Sequence, residues 1–566
     1  MNDPITTSDP SARRHVRAGS GRPGDSAYPG RGREAAAAMV EDARTVLPNV
    51  FALGCFRRVN VTMTMQQVRA FNLAWALSYR GRLGPSRRVA VIGAGLAGLT
   101  FAMAAKVRGG CEVTVFEQTE ALFGPPARGK ARYVHPSLFR RADLLAEPDG
   151  DDDRSGLPFF NWRADTADRV IDQIRASWDR LQSTYPVHVR TSTRVTGVER
   201  AGKKTLISTD AGLAEMFDVV VIATGYGPDA SGYWASGDSA DYVGKPDGAR
   251  LRAVVSGCGD AGLLDVFNLC LRGFVHAEVA ELLQPLVDAV PGRIGDCAEL
   301  DAMMGEGLAN LNATSNEDLI DEALRMAHID GDHPLVGCLD RSETQARRLD
   351  PQVTADRIRR HVADYYAERQ RKLYDEELEI PEAALAPLRC RLRSDAEVIL
   401  NGQGASPYSL TASVWNKLVL AALRRVGALQ YRPGSFSGGE PGVPVFIGGQ
   451  EIASVDRVFV RHGPRREQND WLGALKRRST DLSVEVLSVQ GQQPFMRAYF
   501  ATPAILEEVG MEVAEGRASD WREDLVRYPV IGDGEGSLRL SRRLSEISRR
   551  LATTRLEALL GQRAAR

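Results

Sequence analysis

The stretch that determines the fold is RVAVIGAGLAGLTFAMAAKVRGGCEVTVFE, residues 88–117. Its residues 89–92 form a short apolar run, which predicts a buried parallel strand. A glycine turn follows, and residues 99–107 then carry small and apolar side chains at helical spacing. Residues 113–116 predict a second strand, which ends at Glu117. This order of strand, turn, helix and strand predicts an α/β fold built on a Rossmann-type sheet.

The glycines of this turn have separate physical roles. Gly93 permits the sharp turn after the strand, Gly95 leaves space for a pyrophosphate, and Gly98 lets the helix lie close to the strand. The first helical N–H groups then face the phosphates. Glu117 lies 19 positions after Gly98, where a carboxylate accepts hydrogen bonds from a ribose and repels a 2′-phosphate. We therefore expect FAD or NAD, rather than NADP, to contact Gly93, Ala94, Gly95, Leu96, Ala97, Gly98, Glu117 and Gln118.

The stretch resembles the N-terminal FAD-binding motif of oxidoreductases of the glutathione-reductase type. Residues 217–225, FDVVVIATG, are similar to the ATG motif of that family. The resemblance covers about residues 88–270, and the chain is also similar to uncharacterised bacterial FAD/NAD(P)-binding proteins. It implies an FAD-binding Rossmann-type domain in which the cofactor contacts include Thr224, Gly225, the backbone of Val195, and the loop cations Arg128, Lys130 and Arg132.

A second glycine turn, Gly257 to Gly262, leaves two interpretations open. In the first, Gly257, Gly259 and Gly262 form another G-x-G-x-x-G motif, which binds NADH or NADPH. In the second, Gly259 and Asp260 are the late Gly-Asp motif of the resembled family, whose aspartate binds the flavin ribitol. An acid in the turn repels nucleotide phosphates, which favours the flavin slightly.

The sequence offers three candidates for catalysis. His135 follows the cationic loop and could face the flavin ring, although a single histidine is more often structural. Arg461 and His462 end a predicted strand, where Arg461 could hold an anionic substrate. Residues 328–333 contain two histidines and two aspartates, but their Gly-Asp-His-Pro sequence predicts a turn rather than a metal site.

The pattern along the chain predicts six regions. These are a disordered tail (1–34), an N-terminal helical segment (35–87) with its main helix at residues 63–79, the FAD-binding domain (88–270), a mostly helical insertion (271–390), a C-terminal α+β substrate or sheet-completing region (391–530), and a basic amphipathic helix (537–566). Helical insertions commonly form substrate walls or lids. The last helix is a candidate for docking, self-association or partner binding.

Composition limits the possible classes of protein. The chain has 566 residues, 43% of them apolar and 26% charged, with a net charge of −1. This indicates several globular domains and gives no indication of nucleic-acid binding. No apolar run reaches the length of a membrane span. The seven cysteines include no CxxC pair, which favours a reducing cytoplasm and argues against a zinc site or a redox-active disulfide.

The resulting expectation is an FAD-dependent oxidoreductase acting on a small organic substrate, with three alternatives. The first is an NAD(P)H-linked monooxygenase, in which the second glycine turn supplies the nicotinamide site. The second is an oxidase of an amine, amino acid or alcohol, which needs no nicotinamide nucleotide. The third is a nucleotide-binding sensor or scaffold without catalysis. The missing CxxC motif argues against a disulfide reductase.

Overall fold

A computed structural model describes residues 36–54, 62–136, 153–225, 250–301, 351–462, 470–475 and 497–518, with 234 and 319–320 and without 38, 42, 131, 410–411, 441–442 and 498. Residues Ala36–Trp521 form one unit. Three predictions lie outside the described residues: the disordered tail, the turn at 328–333 and the basic C-terminal helix.

The first part of the chain alternates strands and helices. In chain order the elements are β1 Val50–Ala52, α1 Met63–Tyr79, β2 Arg88–Ile92, α2 Leu96–Gly109, β3 Glu112–Phe116, β4 Tyr133–Val134, β5 Asp165–Thr166, α3 Ala167–Thr184, β6 His188–Arg190, β7 Val195–Ala201, β8 Lys204–Thr209, β9 Ala214–Phe217 and β10 Val219–Ile222. Helix α1 has the predicted bounds, and its N-cap Thr62 accepts a hydrogen bond from Met65 N.

The second part repeats this alternation. Its elements are β11 Leu251–Ser256, α4 Asp260–Cys270, α5 Val279–Ala289, α6 Pro351–Arg371, a π-helical turn Lys372–Glu377, α7 Glu382–Cys390, β12 Ala396–Gly402, α8 Val414–Arg425, β13 Leu429–Pro433, β14 Phe436–Ser437, β15 Val445–Ile447, β16 Gln450–Ile452, β17 Arg457–Val460, α9 Asp470–Leu475 and α10 Pro503–Ala514. Residues 291–301 are also helical.

Two parallel sheets organise the described residues. The first has the strand order β1-β10-β2-β3-β6, and the second has the order β13-β12-β11-β17. All pairings within both sheets are parallel. Counted from the central strand that precedes the glycine turn, β2 or β11, the second and third strands of each sheet are added on one side. The fourth strand, β10 or β17, is added on the other side, which is the strand arrangement of a Rossmann-type domain. In the first sheet, β1 pairs with the outer side of β10 as an additional edge strand.

An antiparallel three-stranded sheet precedes the fourth strand in both cases. In the first domain it is β7-β8-β9, and in the second it is β14-β15-β16. Apolar side chains from each small sheet pack against the adjoining parallel sheet: Val198 and Ile207 with Ala90 and Ile92, and Val445 and Ile447 with Val254 and Ile399. The chain therefore contains the same supersecondary arrangement twice.

The predicted α/β Rossmann class is confirmed, but the expected boundary at residue 270 cuts through the second domain. Strand β11 pairs with β12 and β17 instead of joining the first sheet, because its hydrogen-bonding partners lie after residue 390. The described helices of the expected insertion also belong here, since Val279, Ile294 and Leu385 lie in one hydrophobic core with residues of β11 and β12. In the described part of the chain, no helix has the length and apolarity needed to cross a bilayer.

Candidate dinucleotide-binding sites

The first glycine turn has the geometry that a pyrophosphate site requires. Gly93 has φ +107°, and a Cβ there would lie 2.5 Å from the Ala223 carbonyl oxygen. At Gly98 a Cβ would lie 2.0 Å from the Gly93 carbonyl oxygen, so the helix could not pack as it does. The Cβ direction of Gly95, in contrast, meets nothing within 4 Å. The turn is closed on its protein side and open where a ligand would approach.

Glu117 lies at the edge of this turn. Its Oε2 accepts a hydrogen bond from the Ala94 backbone N at 2.8 Å. Its Oε1 accepts hydrogen bonds from the backbone N and the hydroxyl of Thr119, both at 2.9 Å. These bonds hold the carboxylate beside the glycine turn, where a ribose would be bound. Gln118, which follows it, is exposed.

The residues of the ATG motif cross the first sheet directly behind the turn. Ala223 N donates to the Ile92 carbonyl oxygen at 2.7 Å, which extends the pairing of β10 with β2 beyond the strand. Thr224 Oγ1 is buried and has no hydrogen-bond partner among the described residues. Gly225 has φ +68°, a backbone conformation that favours glycine. Val195, the expected adenine contact, is buried in the core beside Phe116.

The three loop cations have different environments. Arg128 and Lys130 are exposed after the short 3₁₀ turn Pro125–Arg128. Arg132 is instead buried, and its Nη2 donates to Asp265 Oδ1 at 3.1 Å. Because Asp265 lies on α4, this expected phosphate contact is part of an ion pair that joins the first domain to the second.

The second glycine turn reproduces the geometry of the first. Gly257 has φ +125°, and a Cβ there would lie 2.3 Å from the Arg461 carbonyl oxygen. At Gly262 a Cβ would lie 1.9 Å from the Gly257 carbonyl oxygen, whereas that of Gly259 meets nothing within 4 Å. Arg461 N donates to the Ser256 carbonyl oxygen at 2.7 Å, as Ala223 N does to Ile92. The second turn therefore offers the same open pyrophosphate position.

Asp260, the acid of the second glycine turn, uses one carboxylate oxygen for hydrogen bonds within the protein. Its Oδ1 accepts hydrogen bonds from Ser413 N at 2.8 Å and from Asn416 Nδ2 at 2.7 Å. Ser413 is the N-cap of α8, so Asp260 fixes the start of that helix. Burial raises the pKa of Asp260, while these hydrogen bonds act in the opposite direction. This arrangement weakens the argument that an acid in the turn repels phosphates.

Arg461, the expected substrate-binding residue at the end of β17, also forms an ion pair within the protein. Arg461 is buried, and its Nε donates to Asp265 Oδ2 at 2.6 Å. His462 is exposed, and its Nε2 lies 2.7 Å from Ser256 Oγ. Ser256 Oγ in turn donates to Asn401 Oδ1 at 2.6 Å. His462 is thus held at the end of the second sheet, in the position that Thr224 occupies in the first.

A small aromatic cluster lies around His135. Tyr133 is 6.3 Å from His135 and 6.1 Å from His276, measured between ring centroids. His276 is buried, and burial lowers its pKa to about 4, so the ring is neutral at pH 7. No sequence motif marks His276, which lies in a short 3₁₀ turn between two helices. The described residues contain no cluster of potential metal ligands.

One family match agrees with this fold. Residues 91–132 match the family model described as an NAD(P)-binding Rossmann-like domain. No curated protein matches the chain significantly. A mutant flavin monooxygenase from Stenotrophomonas maltophilia is 16% identical, with a TM-score of 0.22. The match covers 32% of this chain and 54% of the monooxygenase, so this chain spans about half the length of that protein. The bacillithiol disulfide reductase Bdr from Bacillus cereus has 14% identity and a TM-score of 0.31 over 69% of this chain and 81% of its own.

The fold and the two glycine turns define a dinucleotide-binding protein of the Rossmann type. The first turn, the acid that follows it and the ATG motif resemble those of FAD-binding domains, and the family model covers the first turn. Residues 91–132 are therefore part of an NAD(P)-binding Rossmann-like domain.

Proposed function

We propose that the first domain binds FAD, that the second binds NADH or NADPH, and that the enzyme transfers hydride from the nicotinamide to the flavin. The observation that carries this proposal is the repetition of one site geometry in two separate sheets. A Cβ at either middle glycine, Gly95 or Gly259, would meet no atom within 4 Å. The first glycine of each turn packs against the residue that follows the fourth strand of its sheet. Two such sites on one chain are suited to two dinucleotides.

The residues of the first domain fit FAD. The open side of Gly95 accepts a pyrophosphate, and Glu117 is already oriented beside the turn for a ribose. Thr224 Oγ1 is a buried hydroxyl without a hydrogen-bond partner in the part of the chain that the structure describes, and a bound polar ligand would satisfy it. Bound FAD would supply hydride and oxygen chemistry, while these side chains bind and orient it.

Two features favour one reaction over the others: the second glycine turn and the raised pKa of three thiols. An oxidase needs no nicotinamide nucleotide, so a second intact turn favours an NAD(P)H-linked enzyme. Disulfide reduction by a thiolate is disfavoured at Cys258, Cys270 and Cys297, because burial raises the pKa of each thiol to about 12. Each of them is a free cysteine. We therefore propose a monooxygenase-like reaction on a small organic substrate.

The experiment is an anaerobic titration of the purified, FAD-loaded protein with NADH and with NADPH, followed by the flavin absorption bands. Bleaching of the bands by either nucleotide supports the proposal, and subsequent oxygen consumption with product formation would identify a monooxygenase. Bands that persist with both nucleotides, but bleach with an amine, amino acid or alcohol, would indicate an oxidase instead. A protein that cannot be loaded with FAD would leave a sensor or scaffold.

A further inference from the structure

The two sites differ at one corner, which lies at the end of the second strand of each sheet. Gly93 N donates to the Phe116 carbonyl oxygen at 2.8 Å, and Gly257 N donates to the Asn401 carbonyl oxygen at 2.9 Å. Phe116 and Asn401 are therefore equivalent positions. The next residue is Glu117 in the first site, whereas it is Gly402 in the second.

Gly402 leaves this corner without a carboxylate. A Cβ at position 402 would lie 2.7 Å from Cys258 Sγ and 2.8 Å from the Tyr431 hydroxyl oxygen. Any larger side chain at this position would therefore clash with its neighbours. Residues 402–413, which connect β12 to α8, contain no aspartate or glutamate. The acid of the turn, Asp260, is hydrogen-bonded to the start of α8. The residues at this corner therefore lack the group that repels a 2′-phosphate in the first site.

Both domains have an arginine beside this corner. Among the described residues, only the arginine of the first domain forms an ion pair with a carboxylate. In the first sheet, Arg190 pairs in register with Phe116, and its guanidinium forms an ion pair with Glu215. That ion pair lowers the pKa of Glu215. In the second sheet, Arg432 pairs in register with Asn401. Arg432 is half-buried, and no carboxylate of the described residues lies within ion-pair distance of it.

We propose that the second site selects NADPH and that Arg432 binds its 2′-phosphate. Neighbouring strands are about 4.8 Å apart, so an arginine side chain on β13 can span the distance to a ribose held at the end of β12. A guanidinium binds phosphate oxygens in a bidentate manner. Arg432 and Gly402 thus replace the pair Arg190 and Glu117, with the charge at the corner reversed. This inference rests on the proposed function, because it requires a nicotinamide nucleotide in the second domain.

The test is a calorimetric titration of the FAD-loaded protein with NADP⁺ and with NAD⁺, which reports binding without turnover. We expect NADP⁺ to bind at least about tenfold more tightly, as one charge-assisted contact allows. Arg432→Gln should weaken NADP⁺ binding by about the same factor and leave NAD⁺ binding unchanged. Arg425→Gln, which removes an exposed arginine from the last turn of α8, is the matched control and should change neither affinity.

The outcomes separate this inference from the function on which it rests. If NAD⁺ binds as tightly as NADP⁺ or more tightly, or if Arg432→Gln weakens both equally, the 2′-phosphate inference is wrong while the two-site function stands. If neither nucleotide binds to the FAD-loaded protein, the proposed function fails, and this inference fails with it. Should Arg432→Gln not fold, the affinity ratio of the unmodified protein and its loss in Arg432→Lys decide the question.

Discussion

Arg132 and Asp265 form an ion pair with 3.1 Å between Nη2 and Oδ1, and both side chains are buried. The pair joins the loop that follows β3 in the first domain to the helix that follows the second glycine turn. The second oxygen of Asp265 accepts a hydrogen bond from Arg461 Nε at 2.6 Å. One carboxylate therefore holds two guanidinium groups, one from each domain, and these contacts link the two domains.

Asp265→Asn should destabilise the protein strongly. The substitution leaves two buried guanidinium groups without their carboxylate, and breaking a buried pair in this way costs about 3–5 kcal/mol. The measurement is urea unfolding followed by circular dichroism. Asp296→Asn is the control, because its ion pair with Arg293 is about half exposed on both sides. That variant should lose less than about 1 kcal/mol. Equal losses in the two variants would show that the Asp265 contacts contribute little.

Gly95→Val and Gly259→Val should separate the two cofactors. Neither glycine has a positive φ, and a Cβ at either position meets no atom within 4 Å, so both variants should fold. A branched side chain would nevertheless occupy the pyrophosphate position. Gly95→Val should be purified without flavin, whereas Gly259→Val should keep its flavin and lose reduction by NAD(P)H. Flavin absorption and anaerobic reduction measure both properties. A yellow Gly95→Val protein would disprove the assignment of FAD to the first domain.

Glu512 should make stability depend on pH near neutrality. It is fully buried on α10, where burial raises its pKa from 4.5 to about 7 despite hydrogen bonds from Asn161. A carboxyl group with a raised pKa in the folded state stabilises the fold at low pH. That contribution is fully present below about pH 4.5 and is lost as the pH rises through about 7.

Comparison with Glu512→Gln isolates this effect. The stability of the unmodified protein relative to Glu512→Gln should fall by roughly 3 kcal/mol between pH 4.5 and pH 8. Urea unfolding at a series of pH values provides the measurement. Glu507→Gln, at an exposed position of the same helix, controls for the removal of a carboxylate from α10. A relative stability that stays constant, or rises with pH, would contradict the raised pKa of this buried carboxyl group.

The geometry of the first glycine turn could be predicted from the sequence because its parts are local. The strand, the turn, the helix and Glu117 lie within thirty consecutive residues, 88–117, and each has a direct physical signature. The second site was only half recognised. Its turn has the same signature, but the neighbouring strand β12 begins about 140 residues after β11 ends, at Ala396. Parallel pairing over such a distance leaves no periodic pattern, so the corner at Gly402 could not be identified.

The charged residues were harder to predict for a different reason. Arg132 and Arg461 have the chemistry expected of phosphate and substrate ligands, and the sequence gives no means of placing either one near Asp265. Whether a cation contacts a ligand or a buried carboxylate depends on tertiary contacts alone. The same holds for Asp260, whose role beside Ser413 becomes visible only when α8 is seen to begin there.

We propose that one chain holds two different dinucleotides in two separate sites. The most direct test is the stoichiometry of NADP⁺ binding and of NAD⁺ binding to the FAD-loaded protein, measured by equilibrium dialysis with the FAD content determined on both sides of the membrane. Two separate sites predict one nicotinamide nucleotide for each chain, with FAD still bound. If the nucleotide displaces FAD, or if neither NADP⁺ nor NAD⁺ is bound while FAD remains, the second glycine turn is not a nucleotide site and the two-site proposal is wrong.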